Sequence, residues 1–161
     1  WNRVTEYAAQ FNTDRAKMFE QLIPSLREMQ STSDGFVETA QLKFNLRVPL
    51  GVERAGLEES IGLLKADAHL NLIEFTPAYR AEKNTPLVRA FLSAIRQHAG
   101  TPGFTVKSGT SDMNITAPLW QCPTLAYGPG DSDLDHTPNE HILVSEYQRG
   151  VQVLAHVLRT I

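Results

Sequence analysis

The sequence predicts a mixed α/β protein in two parts, an α+β segment over residues 1 to 80 and an α/β segment over residues 85 to 161. Three observations carry this. Ala40, Leu42, Phe44, Leu46 and Val48 alternate with Gln41, Lys43, Asn45 and Arg47, the period-two pattern of a half-buried strand in an antiparallel sheet covered on one face. A short polar stretch after Tyr79 ends in Thr85-Pro86, a helix N-cap followed by proline at the first helical position. Beyond it, helical stripes alternate with short apolar runs, the order that builds a parallel sheet.

The elements follow in chain order. Trp1, Val4, Ala8 and Phe11 form a helical stripe that starts at the first residue. Leu22, Leu26 and Met29 have helical spacing, but Pro24 removes a backbone donor from the middle of the stripe, so an extended segment is expected there. Ser33, Asp34 and Gly35 make a turn into the alternating strand, which Pro49 and Gly51 end. Leu57, Ile61 and Leu64 mark a helix over residues 53 to 66, and residues 69 to 76 read as another strand. Leu87, Val88, Phe91, Leu92 and Ile95 are the stripe of the helix opened by Thr85, with Gly100 and Pro102 as its stop. Residues 104 to 107 and 124 to 127 read as short buried strands. In the last helix Ser145 and Gln148 have capping-box spacing, and Val144, Tyr147, Val151, Leu154, Leu158 and Ile161 fall on one face.

Composition excludes several classes of function. A chain of 161 residues buries roughly 70% of its unfolded surface, and no apolar run approaches the ~18 residues of a membrane span. Fifteen Lys and Arg against eighteen Asp and Glu give a net charge of -3 without a basic cluster, a poor match to nucleic acid. The single cysteine, Cys122, excludes an intrachain disulfide and fits a reducing cytoplasm. The chain starts at Trp1 inside a helical stripe, so a trimmed or cleaved product is expected and missing leader signals carry little weight.

Two polar loops follow expected strand ends, where open α/β sheets bind ligands. The first runs from Ser108 to Asn114, and its simplest reading is a turn with a helix cap. The second, residues 127 to 141, holds Asp131, Asp133, Asp135 and Glu140 beside His136 and His141. It is not a calcium loop, which needs Gly at its sixth position and Glu at its twelfth, where His136 and Ile142 stand. It is not a dinucleotide fingerprint, because Asp133 occupies the third glycine position. A transition-metal site is chemically sensible, since imidazoles and carboxylates ligate zinc. Elsewhere packing or solvent is the default: His69 in a strand, His98 on a helix surface, His156 in the last helix, Cys122 as a small buried hydrophobe and Trp120 as core. Asn114-Ile115-Thr116 matches a glycosylation acceptor by pattern only.

The residues from Gly109 to Asn114, Ala117-Pro118 with Trp120 and Pro123, and the run from Ala126 to Pro138 with Glu140-His141 resemble a zinc-dependent aminoacylase and carboxypeptidase superfamily. The run from Tyr127 to Ser132 followed by Leu134 to Pro138 is most similar to the branch that releases lysine or ornithine from an amino-group carrier protein. The Phe44-Asn45-Leu46-Arg47 strand matches the superfamily's lid domain.

The resemblance implies a lid and dimerisation domain over residues 1 to 80 and the closing half of a catalytic domain over residues 85 to 161. It makes His136 a zinc ligand, with cobalt as the alternative metal, and Arg47 the group that binds the substrate carboxylate. Gly109 and Thr110 contact substrate. The implied partners are a second copy, through the lid, and either a carrier protein or a small N-acyl amino acid. The superfamily's H-x-D pair and Glu-Glu general base are expected before Trp1: no histidine here is followed two residues later by Asp, and the pair Glu58-Glu59 lies on the lid helix as a solvated face. This chain alone is expected to be an inactive second half of a metal-dependent amide hydrolase. The alternatives are an acetylornithine deacetylase, a succinyl-diaminopimelate desuccinylase or a small peptidase, and, from another class, a non-catalytic dimerisation or binding module.

Overall fold

The computed structural model describes residues 1–107 and 109–161, and Ser108 of the first polar loop lies outside them. The elements are α1 (Asn2–Phe11), β1 (Ile23–Ser33), β2 (Glu38–Arg47), α2 (Arg54–Leu64), α3 (Pro86–Gln97), α4 (Met113–Trp120) and α5 (Val144–Thr160), with 3-10 turns at Met18–Glu20 and Ser132–Leu134. They form two compact units: Trp1–Arg80 with Val106–Ile115, and Ala81–Thr105 with Thr116–Ile161. Among the described residues no helix is long and apolar enough to cross a membrane.

The first unit is built on an antiparallel hairpin. β1 pairs with β2 from Ile23↔Arg47 to Ser33↔Glu38, and Arg27 is bulged out between the pairs Leu26↔Phe44 and Glu28↔Lys43. Pro24 is tolerated because each strand of a two-stranded sheet is an edge strand. Leu42, Phe44 and Leu46 are half-buried while Lys43, Asn45 and Arg47 are exposed, the alternation read from the sequence. At the tip Asp34 Oδ1 accepts from the amides of Val37 (2.8 Å) and Phe36 (2.9 Å), and Gly35 takes φ +89°, a conformation that glycine adopts without a Cβ penalty. These amides, Val37 first, hold the Asp34 carboxyl below its ordinary range.

α1 buries Val4 and Ala8, as its stripe predicts, and Trp1 meets the ring of Phe44 edge-on at 6.1 Å. Asn12 ties the helix to the strand: its side chain accepts from Leu22 N (2.8 Å) and donates to Leu22 O (2.9 Å), and Leu22 is fully buried. α2 buries Leu57 and Ile61.

Three expected strands are absent. Residues 69–76, 104–107 and 124–127 have no strand assignment, and the sheet of the described residues has two strands, so the parallel sheet expected after residue 85 is not formed. A short apolar run becomes a strand only when a ladder partner satisfies its backbone, and none is paired with these runs. His69 accordingly lies exposed outside any strand.

The second unit is held by α3 and α5. Thr85 Oγ1 accepts from Val88 N at 3.2 Å, the expected N-cap. α3 ends with Ala99 in the left-handed region (φ +58°), closed by Gly100 N to Ile95 O (2.8 Å) and Ala99 N to Arg96 O (3.2 Å). A Cβ on Gly100 would stand 2.7 Å from Ile95 Cγ2, so glycine is required one residue beyond the strained position. Phe91 and Ala94 pack with Val153 and Val157 as the core, flanked by Leu87, Ile95 and Leu125.

The sequence reading of α5 is corrected in two respects. The helix begins at Val144 with Leu143 as its cap residue, so Ser145 is already inside the first turn and no capping box forms. Its buried face is Gly150, Val153 and Val157, whereas Val151, Leu154 and Leu158 are 51, 46 and 71% exposed. Apolar residues occur almost all round this helix, so periodicity did not identify the face that meets α3. Trp120 and Cys122, expected inside, are also exposed.

Two outcomes test this description. Val153→Ala should cost about 1–3 kcal/mol in urea unfolding of the chain, and Leu158→Ala less than about 0.5 kcal/mol. Asp34 has a depressed native pKa, so its contribution is present above the unfolded pKa and is lost as pH falls through the native one. Acidification below the ordinary carboxylate range, or Asp34→Ala at neutral pH, should speed amide hydrogen exchange at Phe36 and Val37.

Candidate functional site

The candidate residues fall into both units. Arg47 is the last residue of β2, opposite Ile23, and its exposed position on the wet side of the strand follows from the alternation that buries Leu46. The guanidinium is always charged and offers a planar fork matched to a carboxylate.

Gly109 and Thr110 belong to the same unit and are exposed. The side chain that fixes their loop is Asn114, which is buried in the first turn of α4. Its Oδ1 accepts from Ser111 N (2.9 Å) and its Nδ2 donates to Pro77 O (2.9 Å). One amide therefore closes the turn after Thr110 and ties it to the segment that precedes α3. The sequence places Asn114 at the end of the first polar loop, in the run that resembles the superfamily and in a glycosylation pattern, and assigns its side chain no role; in the fold its nitrogen is engaged and buried. A local signal was present, since Asn near a helix start bonds readily to nearby backbone.

In the other unit the loop of residues 127 to 141 is anchored at its start. The Tyr127 ring lies 5.1 Å from that of Phe91 on α3, and Pro129 rests on Gly150 of α5, where an added Cβ would sit 3.4 Å from the proline ring. Burial raises the Tyr127 phenol pKa, opposed by the charge of Arg149. Asp131 Oδ1 then caps the 3-10 turn Ser132–Leu134 by accepting from Asp133 N at 3.0 Å. Thr137 Oγ1 closes the far side on Leu134 O at 2.7 Å.

His136 stands exposed after this turn with φ +63°, and its backbone N–H donates to Glu140 Oε2 at 2.9 Å. A left-handed non-glycine residue is strained, and such strain gathers at functional sites. His141 places Nδ1 2.7 Å from Asn139 O; a carbonyl only accepts, so Nδ1 carries the proton and Nε2 of the neutral ring is the lone-pair nitrogen.

Zinc takes at least three protein ligands. Among the described residues no three His, Cys, Asp or Glu converge as a metal site, so His136 and its loop do not fit a complete zinc centre by themselves. The cavity between α1 and α2, lined by Tyr7, Phe11, Leu22 and Leu57, contains none of the candidate residues.

Similarity to known proteins bears on this arrangement. The chain is 42% identical to the LysW-lysine hydrolase of Deinococcus radiodurans over 98% of its own length and 45% of that protein's. It is 32% identical to the LysW-lysine/LysW-ornithine hydrolase of Saccharolobus islandicus over 69% of its own length and 32% of that protein's. The chain thus spans less than half the length of these curated relatives. The sequence model of peptidase family M20/M25/M40 matches residues 8–160, and the chain belongs to that family.

Proposed function

We propose that this chain is the lid and C-terminal catalytic segment of an amide hydrolase that releases lysine or ornithine from an amino-group carrier protein in lysine and arginine biosynthesis. The observation that carries the proposal is the 42% identity to a LysW-lysine hydrolase across 98% of the chain. The family is generally zinc-dependent. Residues 1 to 80 are the lid through which two copies pair; the β1–β2 hairpin, a two-stranded sheet, supports this by offering strand edges for augmentation. Residues 85 to 161 are the closing part of the catalytic domain, and the working compartment is the cytoplasm.

Hydrolysis adds water across the amide: the C–N bond breaks, the water oxygen goes to the carbonyl carbon to give a carboxylate, and the amine leaves with both protons of the water as an ammonium. In the proposed site Arg47 holds the free carboxylate of the lysyl or ornithyl group through charge-assisted hydrogen bonds. Gly109 lets backbone approach the substrate closely and Thr110 offers a hydroxyl. His136 is one zinc ligand of a set shared with groups outside these 161 residues, which also supply the general base.

Three measurements on the enzyme that carries this segment test the proposal. Arg47→Ala should remove a contact of roughly 1.5–3 kcal/mol and lower kcat/KM about tenfold to a hundredfold. His136→Ala should abolish turnover together with bound metal, as read by metal analysis after dialysis. The carrier-borne lysyl or ornithyl amide should be cleaved with higher kcat/KM than acetylornithine. The reverse order would reassign the substrate to a small N-acyl amino acid while leaving the hydrolase intact.

A further inference from the structure

We propose that Glu140 is a positioning residue: its carboxylate clamps the backbone of His136 and so aims the imidazole, a role that rests on the reading of His136 as a metal ligand. Glu140 Oε2 accepts from the His136 N–H at 2.9 Å, and His136 has φ +63°. That torsion turns about the N–Cα bond, so a group that holds the N–H holds one side of it. Both residues belong to the second unit.

The chain between the two residues builds the clamp. Pro138 and Asn139 are the central residues of a turn closed by Glu140 N to Thr137 O at 3.1 Å, and proline is pre-set for the first of those positions. The turn folds the chain back, and a side chain of glutamate's length then meets the amide four residues earlier. The near end is tied as well, since Thr137 N and Oγ1 both donate to Leu134 O, at 3.1 and 2.7 Å. A left-handed backbone costs histidine more than glycine or asparagine, so a loop free to relax would carry the ring elsewhere. A carboxylate on the amide offsets that cost through a charge-assisted bond. Outer partners of metal-binding histidines ordinarily act on the ring. This one acts on the main chain and leaves both ring nitrogens out of the clamp.

The test uses the enzyme that carries this segment. In its metal-free form, hydrogen exchange at the His136 amide, resolved by fragmentation mass spectrometry, should quicken about tenfold or more in Glu140→Ala, the loss of one charge-assisted bond. Zinc affinity, measured by competition with a chelator, should fall about tenfold to a hundredfold, the cost of losing an outer partner of a ligand. Glu140→Gln keeps an acceptor of the same reach and should retain most of both. Glu140→Asp keeps the charge but is one methylene short, and should fail as alanine does. Unchanged exchange in the alanine variant overturns the proposal. So does zinc held more tightly by the Asp variant than by the Gln variant, which marks a ligating carboxylate instead. His136→Ala, run in parallel, separates the failures: zinc retained there overturns the ligand reading itself, whereas zinc lost there and kept in Glu140→Ala overturns the positioning role alone. Should the alanine variant fail to fold, the order of the Gln and Asp variants decides.

Discussion

The meeting of α3 with α5 around Ala94 and Val153, both fully buried, is the contact on which the second unit depends. Ala94 leaves room for Val153 at this seam, and Phe91 and Val157 complete the cluster. The same two helices then set the loop that follows, since Phe91 takes the ring of Tyr127 and Gly150 takes the ring of Pro129. The start of the loop that carries His136 is thus anchored on a hydrophobic contact, and hydrogen bonds made by Asp131, Thr137 and Glu140 shape the rest of it.

A different economy governs the first unit. Its sheet has two strands, and amide side chains join its parts: Asn12 links α1 to the start of β1, and Asn114 links the Gly109–Thr110 loop to Pro77. Each of these amides is a local substitute for a backbone partner, and both the nitrogen and the oxygen of the buried Asn114 side chain are hydrogen-bonded. Such a unit gains definition from a few directional bonds where its apolar area is modest.

What the sequence disclosed follows from this division. β2 was legible because one side of it is wet, so each Lys43, Asn45 or Arg47 reports the burial of its neighbours; the Thr85 cap was legible because capping is a local interaction. The face of α5 was not, because Val151, Leu154 and Leu158 are as apolar as Val153 and Val157, and only the position of α3 chooses between them. Residues 69–76, 104–107 and 124–127 have strand composition, but a strand is a relation between segments. In the candidate site, Arg47, Gly109, Thr110 and His136 were named through resemblance of motif, whereas Asn114 depends on meeting a carbonyl distant in sequence. The left-handed backbone of His136 had no sequence signal at all.

That backbone conformation has an evolutionary reading. Glycine or asparagine at position 136 would occupy φ +63° at less cost than histidine. A library screened only for thermal endurance would therefore drift away from imidazole there, toward glycine or asparagine. Under the proposed role of His136 as a metal ligand, that drift would trade work for durability in a single torsion angle.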